Sequence, residues 1–327
     1  MTGHHRIGAV VLTTLVLCFS FSAGSRSQEP VTVETIETWM EELSNWGRWG
    51  KEDQMGTLNL ITPAKRKEAA RLVKEGVSVS LSRPADKVKG IENPSPWGQE
   101  MRGVGSGAFA MDTYTINYHG FAHTHLDALC HFAYKGRMYN GFSSESVQPE
   151  GCGKLGVEHL REGIVTRGVL IDIPRLEGVD YLAPGTAIYA KDLDAWEKKT
   201  GVTVRSGDAV FIRTGRWARR AAEGPWDIAK SGAGVHVSAA RWFKERDVAV
   251  VGSDFGTDVA PSGVEGARFP LHQLLLVAMG TPLFDNCDLE AVSREANARG
   301  RWDFLLTVAP LSVPGGTGSP VNPIATF

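Results

Sequence analysis

Apolar positions along this chain recur with two different periods, and the alternation between them predicts its elements. Helical spacing runs from Val33 to Leu43. Thr62-Pro63 reads as an N-cap followed by proline at the first helical position, opening a helix over Ala64–Lys74 that ends at Gly76. Val77–Leu81 reads as a strand, and Lys87–Gly107, rich in Gly, Pro and charge, as a mobile loop. Thr113–Tyr118 alternates and is rich in β-formers, so a strand is expected there. Short apolar runs at Gly168–Ile173, Asp208–Thr214 and Val248–Ser253 predict buried strands. Helices are expected at Ala190–Thr200 (closed by Gly201), Ser238–Arg246, Leu271–Met279 and Leu289–Ala298, with a late strand at Phe304–Val308. From Pro310 onward Gly and Pro predict irregular chain. Strands interleaved with helices, together with helix-free stretches, indicate an α/β fold with a mixed sheet.

The N-terminus changes the picture first. Ile7–Phe21 is apolar except for Gly8, Thr13, Thr14 and Ser20, follows His4-His5-Arg6, and precedes small residues. That layout predicts a signal peptide over residues 1–27 and a periplasmic or secreted domain over residues 28–327. A membrane anchor fits less well, since the run falls short of the ~20 apolar residues a spanning helix needs. Lipid attachment at Cys18 is disfavoured by Leu17. The remaining length suits one large α/β domain. The formal charge of −2 is spread along the chain without a basic stripe, which argues against nucleic acid as a partner. Beyond residue 27 the cysteines are Cys130, Cys152 and Cys287, an odd number. Cys152 and Cys287 are candidates for a disulfide in an oxidising compartment, and Cys130 reads as a small buried apolar residue.

Candidate chemistry is concentrated in one place. The thirteen residues His119-Gly-Phe-Ala-His-Thr-His-Leu-Asp-Ala-Leu-Cys-His131 hold four of the nine histidines and one aspartate. Imidazole and carboxylate are the usual ligands of Zn²⁺, Mn²⁺ and Fe²⁺. In an extended segment His123, His125 and Asp127 point to one face, because side chains alternate along a strand. A metallo-β-lactamase-like reading accounts for His123, His125 and Asp127 but meets Ala128 where a second-metal histidine is required. An amidohydrolase barrel would need its His-x-His nearer the N-terminus and an eightfold βα pattern that is absent from the sequence.

Thr124-His125-Leu-Asp127-Ala-Leu-Cys-His131 resembles the second half of the signature of the metal-dependent cyclase family, His-x-Gly-Thr-His-x-Asp-x-x-x-His. That family includes bacterial kynurenine formamidases and isatin hydrolases. Trp49–Thr62, Lys135–Gly141, Ser253-Asp254, His272-Gln-Leu-Leu-Leu and Asp285-Asn286 resemble its further motifs in order, so the likeness covers most of Trp46–Pro323. Two positions depart. The first histidine of the signature falls at Phe121, so its role passes to His123, favoured on the shared face, or to His119, or is left unfilled. The late glutamate falls at Asp285, shorter by one methylene. The resemblance implies a single-domain mixed α/β fold with a β-barrel-like core flanked by helices, often as a homodimer. It implies metal ligation by His123, His125, Asp127, His272 and Asp285, and proton transfer by His131. Zinc or manganese is the expected cofactor, in one ion or two. The implied reaction is hydrolysis of a C–N amide bond, in an aryl formamide or cyclic amide, by metal-activated water. Ligation needs neutral imidazole, so activity is expected to fail in acid. A lactone or ester hydrolase is one alternative, and an inactive metal- or ligand-binding protein is another. Trp46, Trp49, Phe121 and Tyr139 are candidates for an aromatic substrate pocket or for core. Asp172 and Asp254 close buried strands, where carboxylates serve either chemistry or turns. Gly315-Gly316-Thr317-Gly318 does not open a helix after a strand and does not read as a phosphate loop.

Overall fold

A nine-stranded mixed sheet organises the chain. Its strands are β1 (Ser78–Ser80), β2 (His125–Asp127), β3 (Ile164–Asp172), β4 (Ala209–Arg213), β5 (Val250–Ser253), β6 (Leu283–Asp285), β7 (Asp303–Val308), β8 (Gly318–Pro320) and β9 (Ile324–Thr326), in the spatial order β1-β9-β7-β3-β4-β5-β6-β2-β8. The four central strands β3 to β6 run parallel, and every other neighbouring pair is antiparallel. The sheet curls into a half-barrel flanked by helices, which is the mixed α/β class expected from the sequence. The computed structural model describes residues 1–3, 30–103, 105 and 107–327, and Val31–Phe327 form one compact unit. The expected signal peptide lies almost wholly outside the described residues. Among those residues no helix is long and apolar enough to cross a membrane.

The helices fall largely where caps announce them. They are α1 (Val33–Glu42), α2 (Pro63–Ala70), α3 (Ile173–Glu177), α4 (Ala190–Thr200), α5 (Arg216–Glu223), α6 (Ala240–Glu245), α7 (Pro270–His272, continuing as a π-helix over Gln273–Met279) and α8 (Glu290–Arg299). Thr62 caps α2 by accepting from the Lys65 N–H at 3.2 Å, and Gly201 ends α4 in the left-handed conformation. Crossovers through these helices join β3 to β4, β4 to β5 and β5 to β6, as parallel pairing requires. Their carboxyl ends therefore gather at one edge, carrying Asp172, Arg213, Asp254 and Asp285.

Two of those carboxylates are structural. Asp172 pairs with Arg213 at 2.9 Å and accepts from the Arg175 N–H of α3. Asp254, fully buried, accepts from Thr214 N–H and O–H and from Gly215 N–H at 2.7–3.0 Å. Asp285 alone among the three turns toward other histidines and carboxylates.

Several expectations need correction. Within Lys87–Gly107 the chain forms a strand, Gly98–Arg102, paired antiparallel with Met111–Thr115, where a loop was expected. The stretch after Pro310 supplies β8 and β9, whose three-residue lengths leave no periodicity to read. Cys152 does not meet Cys287: its thiol lies near that of Cys130, and all three cysteines are free.

The segment after α1 seals the end of α7. Asn45 N–H reaches Ala278 O at 2.9 Å, the Asn45 amide reaches Met279 O at 2.8 Å, the Trp46 indole reaches Val277 O at 2.7 Å and Thr57 N–H reaches Gly280 O at 2.9 Å. These are the carbonyls a helix end leaves unpaired. Trp46 is thus a clamp on α7, and Tyr139, fully buried with its hydroxyl on Asp53, is core. Gly56 makes the clamp possible: a Cβ there would lie 1.9 Å from Gly280 O, at a φ of +57°. Gly56→Ala is expected to cost at least about 2 kcal/mol in urea unfolding. Stability within ~0.5 kcal/mol of the parent would mean that the two backbones do not meet.

Candidate metal centre

Strand pairing builds the site. β2 lies between β6 and β8, with His125 opposite Asp285 and Asp127 opposite both Leu283 and Gly318. Residues directly opposite share a face, as do positions i and i+2 of one strand. His125, Asp127 and Asp285 therefore project together, while Leu126 points the other way into the core. Each of the three offers a donor atom within 4.8 Å of the others, as do His119, Asp127 and His131. Asp127 belongs to both groups. Its Oδ1 faces His119 Nδ1 at 3.1 Å and His125 Nε2 at 3.4 Å, and its Oδ2 faces His272 Nε2 at 3.8 Å and His131 Nε2 at 3.9 Å.

Each imidazole is held from behind. His125 Nδ1 lies 2.9 Å from His123 O, which puts its proton there and leaves Nε2 bare toward Asp127. His272 Nδ1 lies 2.6 Å from Asp258 Oδ2, which likewise turns the bare Nε2 toward Asp285 Oδ2 at 3.3 Å. Asp258 is itself fixed by the N–H groups of Leu271 and His272 at 2.8 and 3.0 Å. His119 Nε2 lies 2.8 Å from the Thr317 hydroxyl, and its ring stacks on His131 at 3.8 Å and 3°. Gly318 leaves the room, since a Cβ there would approach the His119 ring to 3.2 Å. The loop before β2 is gripped by Asn286, whose amide donates to Gly120 O and His123 O, and by the buried Arg216, which donates to Asn286 Oδ1 and Phe121 O.

The predicted residues thus divide. His125, Asp127, His272 and Asp285 converge, with His131 beside them. His123, expected on the same face, stands outside both donor groups. Strand β2 begins only at His125, so the alternation does not extend back to it. Its ring packs against Trp97 at 5.8 Å with Nε2 buried and lacking a hydrogen-bond partner, and its carbonyl faces His125 Nδ1 at 2.9 Å. His119, the alternative, is the histidine that reaches Asp127. Asp258 and Thr317 went unread in the sequence, because each acts across at least fourteen residues of chain with no local motif.

The electrostatics fit a cation. Asp127 is 1% exposed, and both its carboxylate oxygens lack a hydrogen-bond donor. Burial favours its neutral form, yet His131, His119 and His125 around it hold its carboxyl well below the usual range. For His272, burial opposes charge, but Asp285 and Asp258 drive its pKa well above the ordinary value. Buried carboxylates are thus drawing protons onto imidazoles. A divalent ion supplies the same positive charge while accepting the bare nitrogens. Burial pushes His131 down to about 4 against the opposing pull of Asp127, so this imidazole is neutral near pH 7 and able to accept a proton.

The family model described as "Putative cyclase" matches residues 77–259. The chain belongs to the cyclase family. Among solved structures, this cyclase-family chain is similar to a novel cyclase with 31% identity and a TM-score of 0.81, covering 88% of this chain and 99% of that one. Isatin hydrolase A from Ralstonia solanacearum shares the fold at 22% identity and a TM-score of 0.55, covering 80% of this chain and 95% of that one. An isatin hydrolase bound to the product analogue thioisatinate does so at 20% identity and a TM-score of 0.54, covering 79% and 94%. No curated relative matches. The match to the family model takes in the histidine cluster and Asp258 and ends before His272 and Asp285.

Asp127→Asn removes the charge with little change in shape, and equilibrium dialysis should then show no tight Zn²⁺ or Mn²⁺ binding. Asp258→Asn should weaken that binding about 10- to 100-fold through loss of His272 orientation. Parent-like affinity in both variants would rule out this centre.

Proposed function

We propose that this cyclase-family protein is a metal-dependent hydrolase that opens a C–N amide bond, in an aryl formamide or a cyclic amide. The observation that carries the reading is Asp127, buried with both oxygens lacking donors amid His119, His125, His131 and His272. His125, Asp127, His272 and Asp285 would hold a divalent ion, zinc or manganese. Bound there, such an ion supplies Lewis acidity toward a carbonyl oxygen and acidifies water.

The remaining work falls to the chain. His131 and His119 are about a quarter exposed while the four ligands are buried, so the imidazole pair forms the open side of the centre. His131 Nε2 takes the proton from the attacking water and returns it to the departing nitrogen, as an imidazole neutral at pH 7 can. His119, stacked on it and anchored to Thr317, keeps the His131 ring in plane. Asp127 faces His131 and stabilises the imidazolium that forms. A cavity of about 590 Å³, lined by Arg83, Asp86, Phe121, Ala122, Arg216 and Trp217, offers room for the rest of a small substrate. Phe121 joins it to the centre: its ring and Asp285 Oδ2 both lie within 4 Å of the point a Cβ on Gly256 would occupy.

Protein stripped by a chelator should be inactive toward a panel of aryl formamides and cyclic imides and should recover with Zn²⁺ or Mn²⁺, at close to one ion per chain. His131→Ala should keep its metal and lose roughly 10²- to 10⁴-fold in kcat. Undiminished turnover by metal-loaded His131→Ala would remove the proton-transfer role. If the metal-loaded parent turned over lactones alone, the bond assignment would change; if it turned over nothing, a binding protein would be the better reading.

A further inference from the structure

We propose that Cys130 and Cys152 are a modification site: an oxidisable pair whose disulfide staples the turn carrying His131 to the hairpin Val147–Gln148/Gly151–Cys152. The two thiols lie near enough to perturb one another, Cys130 being pushed up and Cys152 down, and their residues are only 5% and 6% exposed. Backbone anchoring brings them together. Cys152 N–H donates to Gly315 O at 2.8 Å, Cys130 Sγ lies 3.7 Å from Gly316 O, and Cys130 N–H donates to Leu155 O at 3.3 Å. The two cysteines are thus fixed against adjacent glycines, Cys152 on Gly315 and Cys130 on Gly316. Gly315 permits the approach, because a Cβ there would lie 2.9 Å from Cys152 N. Among the described residues neither cysteine joins a group of metal donors. Cys287 is buried elsewhere, with its N–H on Ser253 O and its carbonyl on the Trp217 indole.

Closing the bond requires the two sulfurs to approach to about 2.05 Å. The oxidant is a small or protein disulfide. One cysteine thiolate attacks it, forming a mixed disulfide and releasing one thiol. The second cysteine then attacks the mixed disulfide, forming the Cys130–Cys152 bond and releasing the second thiol. Two electrons and two protons leave with the reduced oxidant. With both thiols covered in the folded chain, the exchange belongs to folding, before the hairpin closes over Cys130. The product ties down a turn already marked by His131 N–H on Ala128 O at 3.0 Å. His131 follows Cys130, and Thr317 follows the Gly315-Gly316 pair that anchors the two cysteines, so the staple braces both the proposed proton-transfer residue and the support of His119.

The test is peptide mapping under non-reducing conditions, on full-length parent protein refolded with oxidised and reduced glutathione. It should find Cys130 linked to Cys152 and Cys287 free. The closed loop of about 22 residues should raise the melting temperature by roughly 5 °C, a rise removed by reductant and absent in Cys152→Ser. Free, alkylatable Cys130 and Cys152 after that refolding would overturn the proposal, as would linkage of either to Cys287. So would a linked protein whose melting temperature reductant leaves unchanged. The peptide map uses unaltered protein, so it decides the matter even if Cys152→Ser folds poorly.

Discussion

A buried carboxylate with no donor is the constraint around which this molecule is arranged. Asp127 is almost completely removed from water, and neither of its oxygens receives a hydrogen bond. Taking an ion out of water costs several kcal/mol even after relaxation, and an uncompensated charge is rarely kept. Protonated imidazoles would compensate it in part, but they would also repel one another, stacked or edge-on within about 6 Å. A cation shared by the bare nitrogens and the carboxylates meets the demand without that repulsion. The carbonyl behind His125 and the carboxylate behind His272 make sense on the same terms. Each holds a proton on the far nitrogen so that the near one presents a lone pair.

The position of the centre in the sheet follows from which strand ends remain free. The parallel strands β3, β4 and β5 end in Asp172, Arg213 and Asp254, and these close on each other and on Glu290, Thr214 and Arg216. Those contacts pair the ends of these three strands with neighbouring side chains. At β6 the sheet changes direction. Its antiparallel neighbour β2 brings His125 and Asp127 alongside Asp285, and β8 covers the other side with Gly318 opposite Asp127. Each parallel strand supplies one charged residue at its end. An antiparallel neighbour adds two functional positions at the same depth, which explains the concentration of chemistry at this junction.

Legibility in the sequence tracked how local the cause was. Thr62-Pro63 and the glycine after Thr200 act within a few residues, and α2 and α4 begin and end accordingly, α2 being shorter than expected. The apolar runs of β3, β4 and β5 are buried on both faces and stood out as unbroken. The identity of His125, Asp127, His272 and Asp285 as one group came through the family resemblance, because their meeting depends on pairing between distant strands. His123 and His119 differ for a reason no spacing shows: β2 is three residues long, and its first residue is His125. The same brevity hid β8 and β9, which owe their existence to partners rather than to propensity. Asp258, Thr317 and the Cys130–Cys152 contact were invisible for the same reason.

The aspartate that stands where the resemblance implies a glutamate need not cripple the centre. Asp285 is directly across from His125, where neighbouring Cβ atoms are about 5 Å apart, so a one-methylene side chain already reaches the shared face. Thr257 donates to its Oδ1 at 3.0 Å, which occupies that oxygen and leaves Oδ2 pointing at His272. Asp285 thus offers a single oxygen, and a longer glutamate would have the reach to bridge two ions. Together with Nε2 of His125, Nε2 of His272 and one oxygen of Asp127, it would offer a bound ion four donors. On the other side of Asp127, among the described residues, His119 and His131 form the second donor group, with their rings stacked parallel at 3.8 Å. A single ion held on the Asp285 side would leave that stacked pair beside it for the proton transfer proposed above.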